Sequence, residues 1–183
     1  NGAGNAANQL NLPGQIYVDG VGNIFIADGS NGRVQKWAPG AASGVTVATA
    51  NNPSGLVVDA SGNIFVSDVF QDKVEKWAPG ATSGVVVAGG NGYGGAANQL
   101  AWPHGLALDA SGNLYIADRE NHRIQKWAPG ASLGTTVAGG NGQGNSLQQL
   151  DSPTGVFVDG AGSLYISDRY NHRVQKWIVG ANA

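Results

Sequence analysis

The sequence contains no cysteine and no methionine. The first absence excludes disulfides, thiolate nucleophiles and thiolate metal sites. The second extends to the initiator and reads as a processed or excised chain. Charge is scarce too: Asp, Glu, Lys and Arg make up 12% of the residues, against a typical ~25%. Ten basic and 12 acidic side chains leave a net charge of −2. That balance argues against a protein built around nucleic-acid phosphates, which would carry a basic surplus. Long hydrophobic runs are also missing. No apolar stretch approaches the ~18 residues of a membrane helix and no leader-like segment is present, so nothing points to a membrane and the compartment is left open. What remains is 42% hydrophobic, too apolar for a disordered chain. Glycine supplies 30 of the 183 residues, more than twice the typical ~7% share. Short elements joined by many turns are the expectation.

The chain repeats itself. Pro13-Gly14, Pro53-Ser54-Gly55, Pro103-His104-Gly105 and Pro153-Thr154-Gly155 open four copies of one unit, spaced 40, 50 and 50 residues apart. Each copy runs through an apolar stretch to an aspartate (Asp19, Asp59, Asp109, Asp159), a glycine-containing turn and a second stretch ending in Asp28, Asp68, Asp118 or Asp168. A polar loop leads to a third stretch ending in Trp37, Trp77, Trp127 or Trp177. In three copies Ala-Pro-Gly and a short fourth stretch follow, such as Val85-Val86-Val87. The ten extra residues of the longer intervals form Gly/Asn/Gln-rich segments, 89–102 and 139–152, with a cognate piece in Asn1 to Leu12.

Runs this short, rich in Val, Ile, Phe and Tyr and bounded by Gly, Asn, Asp and Pro, are strands. Asp59-Ala60-Ser61-Gly62-Asn63 and its cognates have hairpin-turn chemistry, and so does Trp37-Ala38-Pro39-Gly40. Each unit is therefore a four-stranded antiparallel meander, a–b–c–d. Strands a and b are apolar at consecutive positions (Leu106-Ala107-Leu108; Leu114-Tyr115-Ile116), as in strands covered on both faces. Strand c mixes Arg, Gln and Lys with Val and Trp. A polarity gradient from inner to outer strands, repeated in each sheet, fits blades stacked around an axis.

Gly105-Leu106-Ala107-Leu108-Asp109, Gly112 to Asp118 and Arg119-Glu120-Asn121-His122-Arg123-Ile124 resemble the NHL repeat. The resemblance covers nearly the whole chain and implies an all-β fold, a β-propeller built of four-stranded antiparallel blades. Four NHL-like repeats are present, where the family's propellers typically have six blades. Asn31-Gly32-Arg33 and Gln71-Asp72-Lys73 replace the Asn-His pair in the first two. A single propeller domain or propeller fragment is expected over 1–183, with blades near 13–48, 53–88, 103–138 and 153–183. The last blade lacks its own strand d, leaving an unpaired edge that invites another chain. An incomplete ring, or a homo-oligomer joined through open blade edges, is preferred to a closed four-bladed monomer.

Asp28/Arg33, Asp118/Arg123 and Asp168/Arg173 recur at one spacing, with Asp68/Lys73 as a variant. Catalytic groups are usually unique, so fourfold recurrence marks these as structural ion pairs bracing the b–c loop. The Asp-x-x-Gly-Asn turns offer one carboxylate each, too few for calcium, and are better explained as Asx-turns. The glycine-rich segment Gly89 to Gly95 lacks the helix or Lys-Ser/Thr of a phosphate cradle. No catalytic residue, metal site or cofactor is assigned.

Candidate ligand-binding residues are those where the copies differ. The d–a and b–c loops share one face of a propeller, and variable loops on a rigid scaffold are where binding tends to lie. Trp102 occurs once and in a loop, and His104 stands beside the channel where the other copies have Gly14, Ser54 and Thr154. Arg119, Glu120 and His122 of the third copy, with Arg169, Tyr170 and His172 of the fourth, complete the set. The expected activity is a non-enzymatic scaffold binding a protein or glycan partner through that face. The resemblance implies two alternatives. One is a metal-assisted propeller lyase or lactone hydrolase using His104, although a single channel histidine is short of the three ligands a catalytic zinc needs. The other is single-stranded RNA binding.

Overall fold

The computed structural model describes residues 2–178. Residue 1 and the end of the expected fourth blade, 179–183, lie outside them. Among the described residues there are fifteen strands and no α-helix. The first sheet comprises β1 (Pro13–Val18), β2 (Ile24–Asp28), β3 (Arg33–Trp37) and β4 (Val45–Thr49). The second comprises β5 (Pro53–Val58), β6 (Ile64–Asp68), β7 (Lys73–Trp77) and β8 (Val85–Gly89). The third holds β9 (Pro103–Leu108), β10 (Leu114–Asp118), β11 (Arg123–Trp127) and β12 (Thr135–Gly139). The fourth has β13 (Pro153–Val158), β14 (Ser163–Asp168) and β15 (Arg173–Ile178). Each is an antiparallel meander in chain order, and the last has three strands. This is an all-β propeller of four blades.

The turns form for reasons local to the sequence. Asp59 Oδ1 accepts the N–H groups of Ser61 and Asn63, both at 2.9 Å, while Asn63 Nδ2 donates to Oδ2. Gly62 supplies the left-handed residue, φ +80°. The inner strands approach closely enough that a Cβ on Gly55 would collide with the His104 carbonyl.

The core lies between blades rather than within one. Phe25, Ala27 and Val34 of the first blade meet Leu56, Val58, Ile64 and Trp77 of the second. Val74 of the second meets Leu106, Leu114, Ile116 and Trp127 of the third. Ala107, Tyr115 and Ile124 of the third meet Val156, Leu164 and Ile166 of the fourth. Strand β1 packs on β5, β5 on β9 and β9 on β13, and no comparable packing joins β13 to β1 among the described residues. The four blades form an open arc.

A buried polar hub fastens each long d–a loop to the blade that follows. Asp118 accepts hydrogen bonds from Ala101 N–H (2.7 Å), Asn121 Nδ2 (2.8 Å) and Arg123 Nε (2.7 Å). Arg123 also donates to the carbonyls of Gly95, Ala96 and Gln99. Asp28/Asn31/Arg33 and Asp168/Asn171/Arg173 repeat the arrangement on residues 4–11 and 144–151. The second blade differs from the expected pairing. Lys73 Nζ lies 2.8 Å from Glu75 Oε1 and makes no ion pair with Asp68, which is held by the N–H groups of Asn51 and Gln71. The connection before this blade is short, so it offers no loop carbonyls for an arginine to bind. A lysine, a compact charge without the planar fork, turns instead to its strand neighbour.

Burial pushes the Asp118 carboxyl up from the usual carboxylate range against the pull of its hydrogen bonds. The pair thus fixes a geometry more than it adds net stability, and removing one partner is the damaging change. Asp118→Ala, which strands the Arg123 guanidinium, is expected to cost about 3–5 kcal/mol in chemical denaturation. Asp68→Ala leaves no buried cation behind and should cost about 1–3 kcal/mol.

Candidate functional site

The b–c loops of the first, third and fourth blades tighten into single 3-10 turns, Gly29–Asn31, Arg119–Asn121 and Arg169–Asn171, each closed by a left-handed residue. In the third and fourth blades that residue is His122 or His172. The residue before each strand a is left-handed as well: Leu12, Asn52, Trp102 and Ser152. These turns, anchored by the hubs, set the loop face on which the inner strands open.

Gly14, Ser54, His104 and Thr154 surround a cavity of ≈ 420 Å³ at the axis. It continues into a pocket of ≈ 350 Å³ whose wall includes Leu12, Phe70, Trp102, His104 and Arg119. The Trp102 N–H donates to Asp72 Oδ1 at 2.9 Å, and the Arg119 guanidinium lies over its indole at 5.3 Å, a cation–π distance. Glu120 Oε1 stands 3.6 Å from Arg119 Nε, an atom that is buried and makes no hydrogen bond. His104 Nδ1 is 2.8 Å from Ser54 Oγ, and its buried Nε2 has no partner. Burial first, then the cations of Arg119 and Arg169, lower the His104 pKa to about 4. The imidazole is therefore neutral at pH 7.

Trp102, His104, Arg119 and Glu120 thus gather at one mouth. Arg169 stacks over Tyr170 at 5.3 Å and reaches the site only through its field on His104. His122 is used elsewhere: its Nδ1 accepts the Ser152 N–H at 3.1 Å and ties the third blade to the fourth. His172 is exposed at the far end of the arc. Phe70 joins the pocket with its ring exposed, and sequence reasoning missed it. The available signal was an apolar residue where the other b–c loops place Ser30, Glu120 and Tyr170.

The arrangement presents an aromatic platform, two cations within electrostatic reach and a neutral imidazole. Among the described residues no three His, Asp or Glu side chains come together as metal ligands. No helix is long and apolar enough to cross a membrane.

The NHL repeat family matches residues 100–127 and 150–177. Comparison of the sequence with curated proteins gives no match. Solved structures of the same fold include a structural genomics protein of unknown function from Bacteroides thetaiotaomicron, 19% identical with a TM-score of 0.72, over 91% of this chain and 47% of that one. A chain from a nidogen–laminin complex is 25% identical with a TM-score of 0.72, over 91% and 59%. Virginiamycin B lyase from Staphylococcus aureus, solved with quinupristin, is 10% identical with a TM-score of 0.58, over 93% and 56%. The chain spans about half the length of these structures. Likeness at this level establishes the fold.

Between about 4 and 6.5 the unfolded chain binds the proton that folded His104 refuses, so stability falls as pH drops through that window. His104→Thr, the residue of the fourth blade, should abolish this part of the acid sensitivity. In denaturation at pH 7 and pH 4 the wild type is expected to lose ~2–3 kcal/mol more than the variant.

Proposed function

We propose that this four-bladed propeller, two of whose repeats match the NHL repeat family, is a non-enzymatic scaffold binding a protein or glycan partner through its d–a/b–c loop face. The observation that carries this reading is the mouth formed by Trp102, Arg119, His104 and Phe70. Indole and phenyl rings offer area to sugar faces or apolar side chains at low conformational cost. Arg119, whose guanidinium lies over the Trp102 indole, suits a carboxylate or other acidic group on the same partner. Binding sites favour such pockets, with a few polar groups placed on apolar walls. The fold's occurrence in a chain from a nidogen–laminin complex is consistent with a binding role.

An enzymatic use of His104 would need converging partners. Its neighbours are Ser54 and two arginines whose charge opposes its protonation. Continuous basic surface, the requirement for RNA, is not favoured by a chain with net charge −2.

Binding on arrays of acidic and neutral glycans and of acidic peptides tests the reading. Trp102→Ala and Arg119→Ala are each expected to weaken the best ligand by roughly tenfold or more, about 1.4 kcal/mol. Val85→Ala, on an outer strand, should leave it unchanged. Binding indifferent to both mouth substitutions would overturn the assignment, as would stoichiometric zinc held at sub-micromolar affinity.

A further inference from the structure

In an Asn-Gly pair the asparagine side chain is open to attack by its own backbone, because the residue that follows has no Cβ to hold the chain off. Among the described residues the pair occurs three times, at Asn31-Gly32, Asn91-Gly92 and Asn141-Gly142. The reaction available to it is deamidation. The glycine N–H loses its proton to solvent hydroxide, and the nitrogen attacks Cγ of the asparagine. A C–N bond forms, the Cγ–Nδ2 bond breaks and ammonia leaves. Water then opens the succinimide at either carbonyl, giving aspartate or isoaspartate. Water is consumed, ammonia is released and a negative charge is gained.

The structure separates the three pairs. Gly32 donates its N–H to the Gly29 carbonyl at 3.1 Å. Asn31 Nδ2 donates to the Gly4 carbonyl and to Asp28 Oδ2, both at 2.8 Å. Nucleophile and amide are thus both committed in the first blade, and one bond is charge-assisted by a buried carboxylate. At the other two pairs, the N–H groups of Gly92 and Gly142 make no hydrogen bond among the described residues. A Cβ at either glycine would meet nothing, and Asn91 and Asn141 are exposed. We propose that Asn91 and Asn141 are deamidation sites of this chain, and that the first hub protects Asn31.

The consequence reaches the third hub. Asn91 Nδ2 donates to the carbonyls of Gly89 and Asn98, at 3.2 and 2.9 Å, and so pins the two limbs of the d–a loop together. Asn141 Nδ2 donates likewise to the Gln148 carbonyl at 3.1 Å. A carboxylate in that place has only acceptors to set against those carbonyls. The limbs released at Asn91 enclose Gly95, Ala96 and Gln99, whose carbonyls Arg123 collects. Conversion therefore loosens the segment that leads into Trp102, whatever the loop face binds.

Peptide mapping by mass spectrometry, after prolonged incubation of the folded chain in mildly alkaline buffer, tests this. Asn91 and Asn141 are expected to convert at least about tenfold faster than Asn31, the factor that about 1.4 kcal/mol of extra hydrogen bonding imposes. In the guanidinium-unfolded chain the three should convert at similar rates. Asn91→Gln and Asn141→Gln should each remove one acidic product and leave circular dichroism unchanged. Asn91→Asp, the product itself, should keep the fold and speed amide exchange at Gly94 and Gln99, whose N–H groups close the loop, by about threefold or more. Asn31 converting as fast as the other two in the folded chain overturns the proposal. So does a folded chain whose Asn91 and Asn141 stay intact while the unfolded chain converts, and so does a preference that persists on unfolding. Unchanged exchange in Asn91→Asp would sink the link to the loop.

Discussion

The buried carboxylate at the end of each strand b is the constraint on which the loop face depends. Asp118 receives a strand-c guanidinium, a loop amide and the backbone N–H of Ala101 at one point. Through Arg123 the same point holds the carbonyls of Gly95, Ala96 and Gln99. A glycine-rich segment with little apolar surface of its own is thereby fixed against the blade that follows. Charge-assisted hydrogen bonds are worth more than neutral ones in such a place, and an unmatched buried carboxylate would be costly. The hub is an anchor, and the loops above it inherit its position.

This makes two irregularities of the chain one fact. The repeat spacing shortens to 40 residues between the first two copies, and the second copy alone carries lysine in place of arginine. Without the long loop before β5 there are no carbonyls to collect, so the fork of an arginine has nothing to bind. Lys73 pairs with Glu75 and Asp68 keeps only backbone amides. Burial then pushes the Asp68 carboxyl up from its usual range.

The repeat, the strand order and the open last blade were legible because they rest on period, turn chemistry and strand polarity. The aspartates and cations of the hubs were visible as recurring residues. Their loop-carbonyl partners were not, since these lie some 24–28 residues away in sequence. The mouth was half legible. Trp102 and His104 stood out as singular among the copies, while Phe70 was hidden because its role depends on two blades meeting.

Leu12 joins the first blade to the mouth. Its side chain lines the pocket that holds Trp102, His104 and Arg119, and its backbone N–H is the counterpart of the donors that join successive blades. Gly14 and Thr154, the channel residues flanking the opening of the arc, belong to the cavity that leads into that pocket. An acidic partner seated there would meet groups from three blades at once, and it would favour the arrangement in which the loops of those blades stand together, since a ligand shifts an equilibrium only by binding one state better.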